Sequence, residues 1–447
     1  MPQSRRNAMM PNAMMPNAQF SNPMNRHVHR TVLDNGMVVL VVENPAADII
    51  AARIFVRAGS LCDPLEQAGL AHLLATVLTK GTDRLSSMDI AERVESVGAS
   101  LGADAACDYF LLSLKTVSAD FENLLDLAGS LLRQPAFPEG EVELERRLTL
   151  QSIRSQQEQP FAIAFDRMRQ AMYPGHPYGF SSLGTEATVS QLGRDDLLRY
   201  HQTYFRPDNM VISLAGRLRP EDALDLVSQV FGDWRAPETP LPAFRLPPLA
   251  PAPRQLIAPL QTQQSIVMLG YLAPSVLSED AGNPYPNDYA ALKLLNTYLG
   301  NGLSSRLFVE LREKRGLAYE VSALFPTRLE PSQFVVYMGT APENTATAIA
   351  CLRGEVERLC ETALSAGELQ ASKNKLLGQY ALGKQTNAQL AQIYGWYETL
   401  GLGIEFDTRF TEEIAAVTAA VAQAAACRYF RDPYLSLVGP AAAVSNL

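Results

Sequence analysis

Two stretches of the 447-residue chain place reactive residue types at defined spacings. The first is Gly69–Thr82, GLAHLLATVLTKGT. His72 lies on a helical pattern there, but the residues three and four positions on are Ala75 and Thr76. Residues four apart share a helix face, so a helical metal site needs its second ligand at one of those places. The five histidines are His27, His29, His72, His176 and His201, and none lies one helical turn from His72. Catalytic zinc takes three protein ligands, so this chain is expected to hold none, with His72 a satisfied helix-face residue. Cys62, Cys107, Cys351, Cys360 and Cys427 show no C-x-x-C spacing, which excludes a zinc knuckle. Most read as buried thiols, with one or two bridges left open.

The second stretch is Asn301–Ala323, NGLSSRLFVELREKRGLAYEVSA. Ser304 is placed to cap a helix over 305–315, Leu307, Phe308 and Leu311 form its apolar stripe, and Gly316 supplies its stop. A strand is expected over 317–324. Arg312 borders the stripe, one turn after Phe308, and Tyr319 opens the strand. The helix end and strand start can bring a guanidinium and a phenol together. Arg and Tyr at such a helix–strand junction often just bind carbonyls and pack. Arg306 and Arg315 read as surface or packing residues.

The elements that must position these groups fall into two halves. Residues 234–255, WRAPETPLPAFRLPPLAPAPRQ, hold seven of the 29 prolines. Proline removes a donor and fixes φ, so this is a semi-rigid linker between a domain at 26–233 and one at 256–447. The sides resemble each other. Tyr204-Phe205-Arg206 precedes NMVISLAG, and Tyr429-Phe430-Arg431 precedes YLSLVG. Leu73–Gly81 (LLATVLTKG) and Leu294–Gly302 (LLNTYLGNG) match in the same order at nearly the same separation, which points to a duplication. In the first half, strands at 37–42 and 50–57 precede helices at 68–78 and from Ser86, where Ser86 and Asp89 form a capping box. A strand at 108–114 and helices at 118–132 and 141–157 follow. The expected class is α+β, two homologous domains with helices on one face of a mostly antiparallel sheet.

These stretches resemble the pitrilysin, insulinase and mitochondrial processing peptidase family of inverted-motif zinc peptidases. That family carries H-x-x-E-H where this chain has His72, Ala75 and Thr76, so the general-base Glu and second His are missing. Its third ligand, a Glu in an L-x-E-I setting, is matched by Ser152 in Leu150–Ile153, while Glu145 matches an auxiliary acidic position. Its substrate-pairing strand has Asn-Ala where Gly102 and Ala103 stand. The R-x6-Y spacing of Arg312 and Tyr319, within S-S-R-L-F and L-R-E-K-R-G-L-A-Y, matches the family closely. His176-Pro177-Tyr178-Gly179, Gly184-Thr185, Ser372–Leu376 (SKNKL) and Tyr394–Tyr397 extend the likeness over about 27–440. The last cluster reads as core or as a substrate wall. The resemblance implies two domains facing each other across a cavity. It also implies a non-catalytic subunit, with no cofactor in this chain and zinc in a homologous partner with the intact motif. Arg312 and Tyr319 would then bind substrate carbonyls and the oxyanion in the partner's site. A scaffold subunit, and a module that binds peptides without cutting them, are the alternatives. Opening and closing about the linker is expected, with mobile loops near Asn301 and Gly316.

Composition bounds the rest. The net charge of −9 argues against a nucleic-acid partner, whose footprint is basic. No apolar run is long enough to span a bilayer. Residues 1–25, with their repeated NAMMP, read as a disordered leader without a secretory pattern. That points to the cytoplasm, or to the periplasm if a leader was removed or replaced.

Overall fold

The computed structural model describes residues 27–243, 246–277 and 288–444. The leader expected at 1–25 lies outside them. The first half holds strands β1 (Val28–Val32), β2 (Val38–Glu43), β3 (Ile49–Val56), β4 (Ser100–Ala105), β5 (Phe110–Val117) and β6 (Met210–Gly216). The second holds β7 (Gln255–Pro259), β8 (Ser265–Ala273), β9 (Glu320–Leu324), β10 (Ser332–Thr340) and β11 (Tyr434–Gly439). Helices α1 (Leu70–Leu78), α2 (Ser87–Glu95), α3 (Phe121–Arg133), α4 (Glu139–Gln157), α5 (Pro160–Met172), α6 (Glu186–Val189), α7 (Arg194–Tyr204) and α8 (Pro220–Phe231) belong to the first half. Helices α9 (Asp288–Gly300), α10 (Thr345–Glu361), α11 (Ala366–Leu382), α12 (Asn387–Thr399), α13 (Phe406–Ala416), α14 (Ala419–Tyr429) and α15 (Ala441–Val444) belong to the second. The Ser86–Asp89 capping box is present at α2.

Among the described residues the strands form two sheets, ordered β1-β2-β6-β3-β5-β4 and β7-β11-β8-β10-β9. Apart from β1, the two orders are the same. The pairings match too: β2 with β6 and β7 with β11 are parallel, and the remaining neighbours are antiparallel. The short sequence matches fall on the equivalent strands β6 and β11 and helices α1 and α9. Each half is an α+β layer of the expected class.

Burial of the sheets explains their composition. A sheet covered on one face alternates apolar and polar residues, whereas one covered on both reads as a continuous apolar run. VVLVV in β2 and MVISLAG in β6 are such runs, and both are buried. Val39, Val41, Ile50 and Ile54 pack into the first half's own core. Val38, Leu40, Ala51 and Phe55 instead join the core of the second half, beneath α12. The second sheet mirrors this. One face meets α9, α10 and α14, while Met268, Val335 and Val438 meet Ala164, Met168 and Met172 of α5. Each half thus lends one helix to the other's sheet. A glycine seats each helix. A Cβ on Gly395 of α12 would lie 2.4 Å from the Phe55 ring and 2.8 Å from Ser213 Cβ. One on Gly270 of β8 would lie 2.4 Å from Met168 Sδ.

Polar groups also cross between the halves. Arg30 donates to both carboxylate oxygens of Glu398, at 3.0 and 2.8 Å. Asn387 donates to Ile49 O at 2.8 Å, and Tyr173 to Pro331 O at 3.0 Å. The buried Asp108 carboxylate accepts from the Tyr178 hydroxyl and lies 3.7 Å from Arg328. The halves about whose linker opening was expected are thus joined by packed and polar contacts as well. The loop expected to be mobile at Asn301 is tied to α11, since Lys375 Nζ donates to Asn301 O and Asn301 Nδ2 to Gln379 Oε1. All five cysteines are free thiols, but only Cys62 is buried; the other four are half-buried, contrary to the expectation that most would be buried. No helix among the described residues is long and apolar enough to cross a membrane.

Candidate functional site

Helix α1 runs on an apolar pattern that buries Leu70, Leu73, Leu74, Val77 and Leu78, leaving His72 and Thr76 half-buried on another face. Burial pushes the His72 imidazole below its usual range, while Asp104 and Glu145 pull the other way. Ala75 is buried and carries no polar group. Thr76 Oγ1 donates to Leu73 O at 2.9 Å, within its own helix. Ser152 on α4 is exposed and donates back to Leu148 O at 3.0 Å. Lys80, one helical step beyond Thr76, reaches across to α4 and pairs with Glu145 at 3.0 Å. A fixed ammonium thus neutralises the acidic group beside this face. Among the described residues no group of three or more His, Cys, Asp or Glu is placed to hold a metal. The residues at His72, Ala75, Thr76 and Ser152 do not fit a zinc ion.

Beside α1 lies β4. It pairs only with β5 among the described residues, so its outer edge offers free backbone donors and acceptors. Ser100, Gly102 and Asp104 are exposed on one face, and Leu101, Ala103 and Ala105 turn toward the core.

The Arg–Tyr segment differs locally from its expected form. Ser304 does not cap a helix; its hydroxyl meets Lys375 Nζ at 3.3 Å. The segment over Phe308–Glu313 is a π-helical turn, in which Lys314 N donates to Val309 O at 3.0 Å. Such turns are often found at functional sites. Gly316 adopts φ 61°, the left-handed stop expected of it, and its N–H donates to Arg312 O at 3.1 Å. Leu317 O accepts from Thr340 Oγ1 at 2.6 Å, and Tyr319 N donates to Gly339 O at 2.9 Å. The connection is pinned to β10, at odds with the mobility expected near Gly316.

Both side chains of the pair face outward. Tyr319 is 60% exposed, and Arg312 is exposed with its guanidinium 4.8 Å from the Phe308 ring centroid. Among the described residues neither has a hydrogen-bond or ion-pair partner, and neither bonds to the other. Arg306 is different, pairing with Glu310 at 3.2 Å and Glu355 at 2.8 Å. Arg315 meets Cys351 Sγ at 2.9 Å. The Tyr394–Tyr397 cluster divides: Tyr394 and Tyr397 are buried, while Trp396 is half-buried beside a cleft. Lys80 and Arg53, the latter alone in the apolar run IIAARIFV, escaped the sequence reading. The signal for Lys80 was its place four residues after Thr76.

Comparison with known proteins fits this arrangement. The insulinase (peptidase family M16) model matches residues 38–186, and the peptidase M16 inactive-domain model matches 191–376. An uncharacterized zinc protease of Mycobacterium leprae is 28% identical over 396 residues, covering 87% of this chain and 86% of that protein. One from Bacillus subtilis is 25% identical over 425 residues, 92% of this chain and 98% of that protein. The crystal structure of a peptidase M16 inactive domain from Pseudomonas fluorescens superposes with TM-score 0.84 at 25% identity, covering 92% of this chain and 98% of that one. A Helicobacter pylori protease shares the fold, with TM-score 0.85 at 21% identity over 93% of this chain and all of that one. The chain belongs to the M16 peptidase family, as a member that lacks the family's zinc ligands.

Proposed function

We propose that this chain is the non-catalytic but required subunit of a two-chain zinc metalloendopeptidase. A homologous partner with intact H-x-x-E-H supplies the zinc and the general base. This chain supplies Arg312 and Tyr319 as donors to the substrate carbonyls and the developing oxyanion. The observation that carries the reading is their exposure on a pinned turn with no hydrogen-bond or ion-pair partner among the described residues. Donors aimed at developing charge act best when they need no reorganisation. The free edge of β4 supports a peptide lying against this face, because an extended chain adds to an open sheet edge through main-chain bonds.

Mixing tests the proposal. The chain and an intact-motif partner, each nearly inactive alone, are titrated together against a fluorogenic peptide. Activity should saturate near equal stoichiometry, over an interface of roughly 2,000 Å² or more as permanent complexes have. A partner fully active alone, or tight zinc with chelator-sensitive cleavage in this chain alone, would refute it.

A further inference from the structure

β3 carries Arg53 in the middle of an otherwise apolar strand. Its cross-strand neighbours are Ser113 on β5 and Ser213 on β6. Two residues to either side, Ala51 and Phe55 are fully buried in the core that α12 closes. Period-two alternation puts Arg53 on that same face. There it lines a cleft of about 470 Å³ between the sheet and α12, with Tyr109, Gln389, Gln392, Ile393 and Trp396.

The charge there lacks a counterpart. Arg53 Nη1 donates to Ala52 O at 3.0 Å and Leu114 O at 3.4 Å. Among the described residues no carboxylate pairs with it, and burial pulls its proton affinity below the usual range. Arg57, four residues along the same face, is also pushed below its usual range by burial, but there the Glu398 charge opposes the shift and the Glu398 carbonyl lies 3.4 Å from Nη2. A half-buried guanidinium with spare donors costs desolvation, and here two carbonyl bonds offset it without an ion pair. Its fork geometry matches a carboxylate in bidentate fashion. Trp396, Ile393 and Tyr109 add an apolar wall, and the Gln392 amide adds a directional partner, while Gln389 is held through its oxygen in the α12 capping box. A few convergent polar groups in an apolar recess are the usual makeup of a ligand site. The first turn of α12 borders the same space at Ala388 and Gln389.

We propose that this cleft binds a peptide carboxylate, with an adjoining apolar side chain against Trp396 and Ile393. The carboxylate is an acidic side chain or a free carboxyl terminus. The proposal rests on the reading of this sheet face as peptide-bearing, but needs no partner subunit.

The test uses the full chain alone and calorimetric titration. Three N-acetylated apolar tetrapeptides are compared: one with a free carboxyl terminus, one amidated with an internal Glu, and one amidated with Gln in its place. Hydrocinnamate, a carboxylate that is not a peptide, is the fourth probe. At least one carboxylate peptide should bind about tenfold or more tighter than the neutral one, as a charged hydrogen-bonded pair provides. The stronger of the two identifies the source. Arg53→Gln should remove the difference while thermal unfolding shows a folded protein. Ala388→Phe, which narrows the cleft and leaves Arg53 in place, should weaken every probe. Hydrocinnamate binding that depends on Arg53 would support the carboxylate site even if two-chain activity is never found. Equal affinity for all three peptides, unchanged preference in Arg53→Gln, or no binding by any probe would overturn the proposal.

Discussion

The two halves build the same helix–glycine–strand corner and use it differently. In the first half, α2 ends before Gly98 at φ 65° and β4 follows. In the second, the π-helical turn ends before Gly316 at φ 61° and β9 follows. Counting equally from the two glycines, Val94 and Leu101 stand where Arg312 and Tyr319 stand. Val94 is buried and Leu101 packs against the first core, whereas Arg312 and Tyr319 point to solvent. One scaffold thus gives a packing corner once and a presenting corner once. Nothing in the fold of this corner requires an exposed aromatic, since its twin manages with apolar residues. The difference makes the second corner the place where the role proposed for Arg312 and Tyr319 can be tested against its twin.

The strongest way to break that comparison is to remove the Tyr319 hydroxyl. With the partner present, Tyr319→Phe should lower kcat by about 10²–10³, the effect of losing one oxyanion donor of about 2.7–4 kcal/mol. Melting temperature should not move, because the ring is exposed. Arg312→Ala should raise KM as well as lower kcat, since a guanidinium also holds carbonyls in the ground state. Full turnover in Tyr319→Phe would return this corner to a merely structural role. At the twin corner the readouts reverse. Leu101→Ala should cost about 1–2 kcal/mol of stability, below the full core range because the side chain is half-buried, and assembled activity should follow only the folded fraction.

The helix exchange offers the next test. Gly395→Ala should destabilise by about 1–3 kcal/mol, because its Cβ meets the rigid Phe55 ring and Ser213 Cβ, which cannot swing away. Gly270→Ala should cost less, since Met168 and Met172 present flexible thioether ends. Urea unfolding of both variants checks the order. If both halves unfold together in one transition, the lent helices couple them. Two separable transitions would show that each sheet stands without the other's helix.

How much of this was legible in the sequence varies with the physics. Runs such as VVLVV declared buried strands, and the Gly316 stop and the Ser86–Asp89 box announced themselves through local chemistry. The paired halves were readable from short matches because duplication leaves colinear traces. Which helix covers which sheet was not readable. α5 and α12 carry no mark of crossing over except Gly395 and an apolar pattern that any core would satisfy. The hinge was expected because a proline-rich segment specifies local stiffness, but not what packs on either side of it. For the candidate site, spacing placed Arg312 and Tyr319 on either side of a turn, and the absent ligands at Ala75, Thr76 and Ser152 were plain. Ser304 was misread because a π-helical turn and a lysine bond replace the cap. Arg53 was passed over because one cation in a strand gains meaning only when its neighbours across the sheet are known.

Acidification probes the first core. His201 is buried and held neutral, its Nε2 2.8 Å from Leu132 O, and burial lowers its pKa to about 4 from 6.5. Between those values the unfolded chain takes up a proton that the folded chain refuses, so stability falls as pH drops through that window. The slope should approach about 1.4 kcal/mol per pH unit for this imidazole. His176, with its pKa also lowered to about 4 by burial, acts in the same direction. Denaturant midpoints at pH 7, 6 and 5 measure the slope. His201→Gln, which keeps a donor for Leu132 O, should flatten it. An unchanged slope in that variant would assign the acid sensitivity elsewhere.

The smallest expected effect concerns the face where the family's metal would sit. The Lys80–Glu145 pair is partly exposed, with side-chain exposures of 34% and 12%. Such pairs contribute about 0–1 kcal/mol, because solvent screens the attraction and ordering two side chains costs entropy. Lys80→Met should therefore shift the melting temperature only slightly, and less in high salt. It also frees Glu145 beside His72, which raises the number of available ligands on this face to two. Two ligands remain short of the three that catalytic zinc takes. Metal analysis after dialysis should then find no stoichiometric zinc in Lys80→Met. Retention of one zinc per chain by that variant would mean that the ammonium, not the loss at Ala75, Thr76 and Ser152, keeps the metal out. The first-half face would then be one substitution from a metal site, and the division between a packing half and a presenting half would have to be redrawn.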